Sequence, residues 1–274
     1  NIAGYRDSTS GSPALGSVDY FGTVAAFTAS TSKSENVGCD AIDVGTGLTL
    51  VGGDGGDTDG VWSDFADEDE ETVFVNYEGY LTPDSLLTFD AATNTTASLK
   101  ALPSKFDANG LVVHQKEATS ADGTKIPYFV VHRDGITLDG STPTLLYGYG
   151  GFQVSLRPSY SGGVGRMWLE RGGAYVVANI RGGGEFGPMW HQAGLKGDRQ
   201  RIYDDFIAVG EDLIAKGITS SDHLGIMGGS NGGLLMGVML NQRPDLWNAV
   251  VVQVPLLDML RYHKLLAGAS WVDE

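Results

Sequence analysis

The 274-residue chain has one cysteine, Cys39. That excludes an internal disulfide framework and a cysteine-built metal site, and Cys39 reads as a small buried apolar side chain. Positive charge is also scarce: 18 Lys and Arg stand against 34 Asp and Glu, for a net charge of −16. Such a chain repels nucleic acid and anionic membrane surfaces, so neither is expected as a partner. No apolar run reaches the roughly 18 residues that would mark a membrane-spanning helix. The opening residues, "NIAGYRDSTSGSPALG", lack the charged start and apolar stretch of a signal peptide. A cytoplasmic protein is expected.

The acidity is uneven. Residues 1–115 hold 18 acids and 4 bases, whereas residues 116–274 hold 16 acids and 14 bases. A break of this kind points to two modules. The acid clusters "DGGDTDG" (54–60) and "DEDEE" (67–71) lack EF-hand spacing and flanking helices, so they read as solubilising surface rather than calcium loops.

Two rhythms follow the same division. Up to about residue 112, "GTVAAFTAS" (22–30), "TVFVNYEG" (72–79) and "DSLLTFDAAT" (84–93) are β-rich runs separated by turn residues. They imply antiparallel β architecture, either a sandwich or propeller blades. Beyond it lie the strands "IPYFVVHR" (126–133), "TPTLLYGYG" (142–150), "AYVVANIRG" (174–182), "HLGIMGG" (223–229) and "AVVVQVP" (249–255). The last three are apolar through their centres, as in strands buried on both faces. Between them, "DRQRIYDDFIAVGEDLIAKG" (198–217) places Ile202, Phe206, Val209 and Leu213 on one helical stripe, and a second helix is expected over 231–247. Strand–helix alternation implies a mostly parallel α/β sheet.

The stretch "GIMGGSNGGLLMGV" (225–238) crowds Gly228, Gly229, Gly232 and Gly233 around Ser230. Gly228 to Gly232 fit G-x-S-x-G, in which a strand turns sharply into a helix and presents a serine at the tip. Small flanking residues let neighbouring elements pass closely. The helix N-terminus favours developing negative charge, and the Asn231 backbone N–H is the natural first oxyanion donor. A glycine-rich turn of this type also suits a phosphate, but the stretch lacks the GK[ST] and G-x-G-x-x-G fingerprints.

These residues resemble the prolyl oligopeptidase family. "GGSNGGLL" (228–235) is similar to that family's nucleophile segment. "LYGYGGF" (146–152), "ANIRGGGEFG" (178–187), "NQRPDLW" (241–247) and "DMLRYHK" (258–264) are similar in order and spacing. The resemblance is strong over about 120–274 and weaker before. It implies an incomplete α/β-hydrolase domain over 113–274, preceded over 1–112 by a partial β-propeller resembling the last blades of a seven-bladed one. Asparagine after the serine favours the prolyl branch. Tyr149 resembles the residue whose hydroxyl completes the oxyanion hole. Phe152 and Trp271 resemble the aromatics that hold the substrate's proline ring, and Leu256 a small apolar wall of the same pocket, where the family often has a β-branched residue. The implied chemistry is acyl transfer through a serine ester on short peptides cut after proline. It calls for no cofactor, and the full-length protein is expected to be monomeric.

A nucleophilic serine needs a base, and the base an orienting acid. In α/β-hydrolases both follow the serine in the chain. Here His263 is the sole later histidine, in a segment that is not the family's catalytic one, and Asp245, Asp258 and Asp273 come too early for the acid. The sequence is therefore expected to be an internal piece of a longer enzyme, inactive alone. The alternatives are a non-catalytic, truncated or degenerate hydrolase that binds peptides, a basic-residue-specific oligopeptidase of the same family, and an esterase or lipase with the same elbow. Asp204, Asp205, Trp190 and His191 read as scaffold, and Arg181 and Glu185 as a pair bracing their turn.

Overall fold

The computed structural model describes residues 42–43, 49–50, 59–63, 72–90, 93 and 95–272. The strand expected at 22–30, Cys39, the acid cluster at 67–71 and most of that at 54–60 lie outside the described residues. The chain divides into two compact units, one of residues 1–105 and 157–162 and the other of 106–156 and 163–274. Among the described residues, no helix is long and apolar enough to cross a membrane.

In the first unit, β1 (Ile42–Asp43) and β2 (Thr49–Leu50) form a short antiparallel ribbon. β3 (Asp59–Ser63), β4 (Thr72–Gly79), β5 (Ser85–Asp90) and β6 (Thr95–Ala101) form a four-stranded antiparallel meander in sequence order. That is the form of one propeller blade. Its β5–β6 register shifts between Leu86 and Leu87, a bulge that increases local twist. Residue 160 closes onto the sheet: the Tyr160 N–H donates to Glu78 Oε1 at 2.6 Å, and its hydroxyl accepts from the Lys105 N–H at 2.6 Å.

The second unit carries β7 (Leu111–Thr119), β8 (Lys125–Arg133), β9 (Thr144–Tyr147), β10 (Ala174–Ala178), β11 (Leu224–Gly229) and β12 (Ala249–Gln253). They form one sheet in the order β12-β11-β9-β10-β8-β7. β8 runs antiparallel to both neighbours, and every other pair is parallel. Parallel neighbours need crossover segments. The helices α1 (Gly162–Met167), α2 (Pro188–Gln192), α3 (Gln200–Ala215) and α4 (Asn231–Gln242) lie in those connections. This is a mostly parallel α/β sheet, as the strand–helix alternation implied.

The core sits between this sheet and α3. Ile202, Phe206, Val209 and Leu213, the predicted stripe, are all buried against Ile126, Tyr128, Leu146, Val176 and Ile226. Burying each such side chain contributes about 1.5–3 kcal/mol. α3 stops where expected, with Gly217 at φ +70° just past its end.

Two expectations differ. α4 ends at Gln242 rather than near 247. Pro244 disfavours helical backbone at the residue before it, and Arg243 sits at φ −139°. β12 is not buried on both faces: its residues alternate, with Val251 43% exposed. Among the described residues β12 pairs with β11.

Candidate active site

β11 delivers the chain to Ser230, which adopts φ 57° and ψ −115° before α4 begins. A non-glycine residue there carries strain of order 1–3 kcal/mol and persists only where the surroundings over-determine it. Those surroundings are visible. The Ser230 N–H donates to the Gln253 carbonyl at 3.0 Å, and its own carbonyl accepts from Gly233 and Leu234 at 2.9 and 3.1 Å. The turn is thus pinned by β12 on one side and by the first turn of α4 on the other.

The glycines follow from close passage. A Cβ on Gly232 would lie 2.6 Å from the Gly148 carbonyl oxygen, and one on Gly228 would lie 2.7 Å from the Gly232 carbonyl carbon. Gly229 differs: a Cβ there would find nothing nearer than 3.7 Å. Contact therefore does not require the glycine immediately before the serine.

Asn231 is buried at 2% exposure, and its side chain bridges two segments. Its Nδ2 donates to the Tyr149 carbonyl at 2.7 Å, and its Oδ1 accepts from Arg199 Nη2. Tyr149 follows β9, and its ring edge comes within 3.6 Å of where a side chain on Gly232 would begin. The Tyr149 and Phe152 rings are 6.5 Å apart. Phe152 stands edge-to-face with Trp271 at 6.3 Å. Phe152 (φ 56°), Gln153 (φ 54°) and Val254 (φ 38°) are strained in the same sense as Ser230.

Phe152, Leu256 and Trp271 line one cleft together with Arg199, Asn231, Leu234, Met259 and Tyr262. All three residues singled out for the pocket thus meet beside the residue that follows Ser230. Sequence reasoning missed Arg199, Leu234, Met259 and Tyr262. Arg199 stands among charged residues at a helix start and Leu234 in an apolar helical run, so neither stands out in the sequence. Among the described residues, no histidine lines the cleft or hydrogen-bonds the Ser230 hydroxyl. The Nδ1 of His223 instead meets the Ser220 hydroxyl at 2.8 Å, and that of His132 the Arg133 carbonyl.

Arg181 and Glu185 do not pair with each other. Arg181, 4% exposed, grips Asp205 with Nε at 2.9 Å, Nη2 at 2.6 Å and its backbone N–H at 3.0 Å. Its Nη1 reaches Asp122 at 2.5 Å, and the Ser120 hydroxyl donates to Asp205 at 2.6 Å. Glu185 Oε1 accepts instead from the Leu156 N–H at 2.9 Å and from Asn179 Nδ2 at 3.3 Å. Arg181 precedes Gly182, whose carbonyl accepts from the Gln153 N–H at 3.2 Å. The ion network therefore backs the loop that carries Phe152. Trp190 also belongs to this scaffold, donating from Nε1 to the Ile180 carbonyl at 3.1 Å.

The Arg181 guanidinium holds the Asp122 carboxyl well below its ordinary value of 3.8. A carboxylate depressed in the folded state adds stability above its unfolded pKa, and that stability is lost as pH falls through the folded value. The full chain should therefore lose stability from about pH 4 downward. Asp122→Asn should lose less between pH 5.5 and 2.5. Urea unfolding of both proteins at those two pH values checks this, and identical acid sensitivity would refute it.

A strained serine at a strand-to-helix turn, on a mostly parallel sheet with one reversed strand, defines an α/β-hydrolase. Within that class, residues 159–274 match the prolyl oligopeptidase family. An uncharacterized peptidase of Sinorhizobium fredii is 61% identical over 209 residues, covering 76% of this chain and 29% of that protein. A prolyl endopeptidase of Elizabethkingia miricola is 44% identical over 202 residues, covering 74% and 28%. The structure of a post-proline cleaving enzyme from Rickettsia typhi superposes with a TM-score of 0.71 at 47% identity, covering 79% of this chain and 31% of that one. The chain thus spans under a third of the length of the curated relatives it matches.

Proposed function

We propose that the full chain is a serine peptidase that cleaves peptides on the carboxyl side of proline. The observation that carries this reading is the Phe152–Trp271 edge-to-face pair, with Leu256 in the same cleft, beside the residue that follows the strained Ser230. A flat, apolar pyrrolidine ring packs well against two aromatic faces. The Ser230 Oγ attacks the carbonyl carbon of the proline residue and gives up its proton. The C–N bond then breaks, the departing amine takes a proton, and a serine ester remains for water to hydrolyse. The Asn231 N–H and the Tyr149 hydroxyl are the proposed donors to the oxyanion. No cofactor enters this chemistry.

Two variants of the full chain separate the roles. Truncating a buried aromatic anchor costs about 2 kcal/mol or more, so Trp271→Ala should lower kcat/KM for a proline peptide by at least about thirtyfold. It should leave a simple activated ester much less affected. Tyr149→Phe should lower kcat by about 10²–10³ with little change in KM, because its hydroxyl acts mainly in the transition state. Steady-state kinetics on a proline peptide and a matched arginine peptide test both. A wild-type preference for arginine, or a preference that Trp271→Ala leaves untouched, would overturn the prolyl reading in favour of basic-residue cleavage.

A further inference from the structure

Arg199 is the cleft residue whose purpose the peptidase reading does not explain. It precedes α3, is half-buried and lines the cleft with Phe152, Trp271 and Asn231. Its guanidinium divides its donors. Nε donates to the Tyr203 hydroxyl at 3.1 Å, one turn along α3, and Nη2 donates to Asn231 Oδ1. No carboxylate forms an ion pair with it among the described residues.

The chemistry of the donors fixes the Asn231 amide. A guanidinium has only N–H donors, so it must face the amide oxygen. The amide nitrogen is thereby turned to the Tyr149 carbonyl, where it sits at 2.7 Å. A continuous chain of hydrogen bonds runs from Tyr203 through Arg199 and Asn231 to the backbone of Tyr149. Its last two members are the two proposed oxyanion donors, one through its main-chain N–H and the other through its hydroxyl. Gly151 shows how tightly the amide is seated, since a Cβ there would lie 2.5 Å from Asn231 Nδ2.

We infer that Arg199 is a positioning residue: by clamping the Asn231 amide against the Tyr149 carbonyl, it holds the two oxyanion donors at their working separation. This rests on the serine-peptidase reading. Arg199 touches neither the oxyanion nor the scissile bond. It acts on the transition state through the spacing of other groups, so its loss shows in turnover rather than in substrate binding.

The test is carried out on the full chain. Arg199→Met keeps the aliphatic stem and removes every donor. It should lower kcat on a proline peptide by about 10- to 100-fold, the cost of a displaced catalytic group, with KM within about twofold. Affinity for a proline aldehyde, which Ser230 converts to a tetrahedral adduct, should fall by the same factor as kcat/KM. Tyr203→Phe frees the other end of the guanidinium and should give a smaller fall in kcat, again with KM unmoved. This second variant decides the matter should Arg199→Met fail to fold. A kcat within threefold of wild type in Arg199→Met, or no fall in Tyr203→Phe, overturns the role, as does a rise in KM that accounts for the whole loss of kcat/KM. If the wild type neither cleaves the proline peptide nor takes an organophosphate on Ser230, the serine-peptidase reading fails and this role falls with it. An active wild type with unchanged variants overturns the Arg199 role alone.

Discussion

Ser230→Ala in the full chain should lower kcat on a proline peptide by about 10⁶-fold, the size of loss seen when the nucleophile of a serine protease is removed. The expectation follows from position as well as residue type. The hydroxyl stands at the tip of a turn held at φ 57° by hydrogen bonds from both sides. No other described residue occupies that place between β11 and α4. Alanine has the same Cβ and the same backbone cost at this position, so the fold should be preserved, with a stability change within about 0.5 kcal/mol. The cleft walls Phe152, Leu256 and Trp271 are untouched, so the variant should still bind the peptide. Kinetics together with calorimetric binding on the inactive variant check both halves. A residual rate above about one per cent of wild type would exclude Ser230 as the nucleophile.

Asp205→Ala should destabilise the chain by about 3–5 kcal/mol, the cost of leaving one member of a buried ion pair alone. Asp205 is 0% exposed, and burial pushes its carboxyl upward against the pull of Arg181 and Ser120. Removing it leaves the Arg181 guanidinium without its two-pronged partner and the Ser120 hydroxyl without its acceptor. The neighbouring residue provides the control. Asp204 accepts one exposed hydrogen bond from Gln200, so Asp204→Ala should change stability by less than about 0.5 kcal/mol. Urea unfolding of the two variants gives the comparison. Equal effects from these adjacent aspartates would show that the buried network does not anchor the unit.

The parts legible in the sequence are those governed by local rules. The stripe Ile202, Phe206, Val209 and Leu213 announced α3, because helical period and burial on one face are the same fact. Ser230 was legible because a strained turn crossed by other backbone leaves a glycine signature. Gly229 went beyond that signature, since nothing crowds it. The pairing of Arg181 with Glu185 was drawn from nearness in sequence, whereas α3 carries Asp205 to Arg181 instead. The aromatic pocket became legible only through family resemblance, as Phe152 and Trp271 lie far apart in the chain. Arg199 left no signal at all: its meaning lies in Asn231, 32 positions on, which no local pattern connects to it.

The Arg181 network also constrains when the site can exist. Its bonds join residues 24, 59, 61 and 85 positions apart. Closing such loops costs chain entropy before any contact rewards it. The β7–β8 hairpin can form early from its own residues, but Ser120 and Asp122 at its turn do not meet their guanidinium until Arg181, just past β10, arrives, and Arg181 has no deep partner until α3 has been synthesised. During translation, the loop that carries Phe152 therefore lacks its backing until Asp205 has left the ribosome. Until then the nascent chain carries a guanidinium destined for a dry interior with only Asp122, at the hairpin turn, to pair with it. The clamp that rigidifies the cleft in the finished molecule thus also delays its assembly.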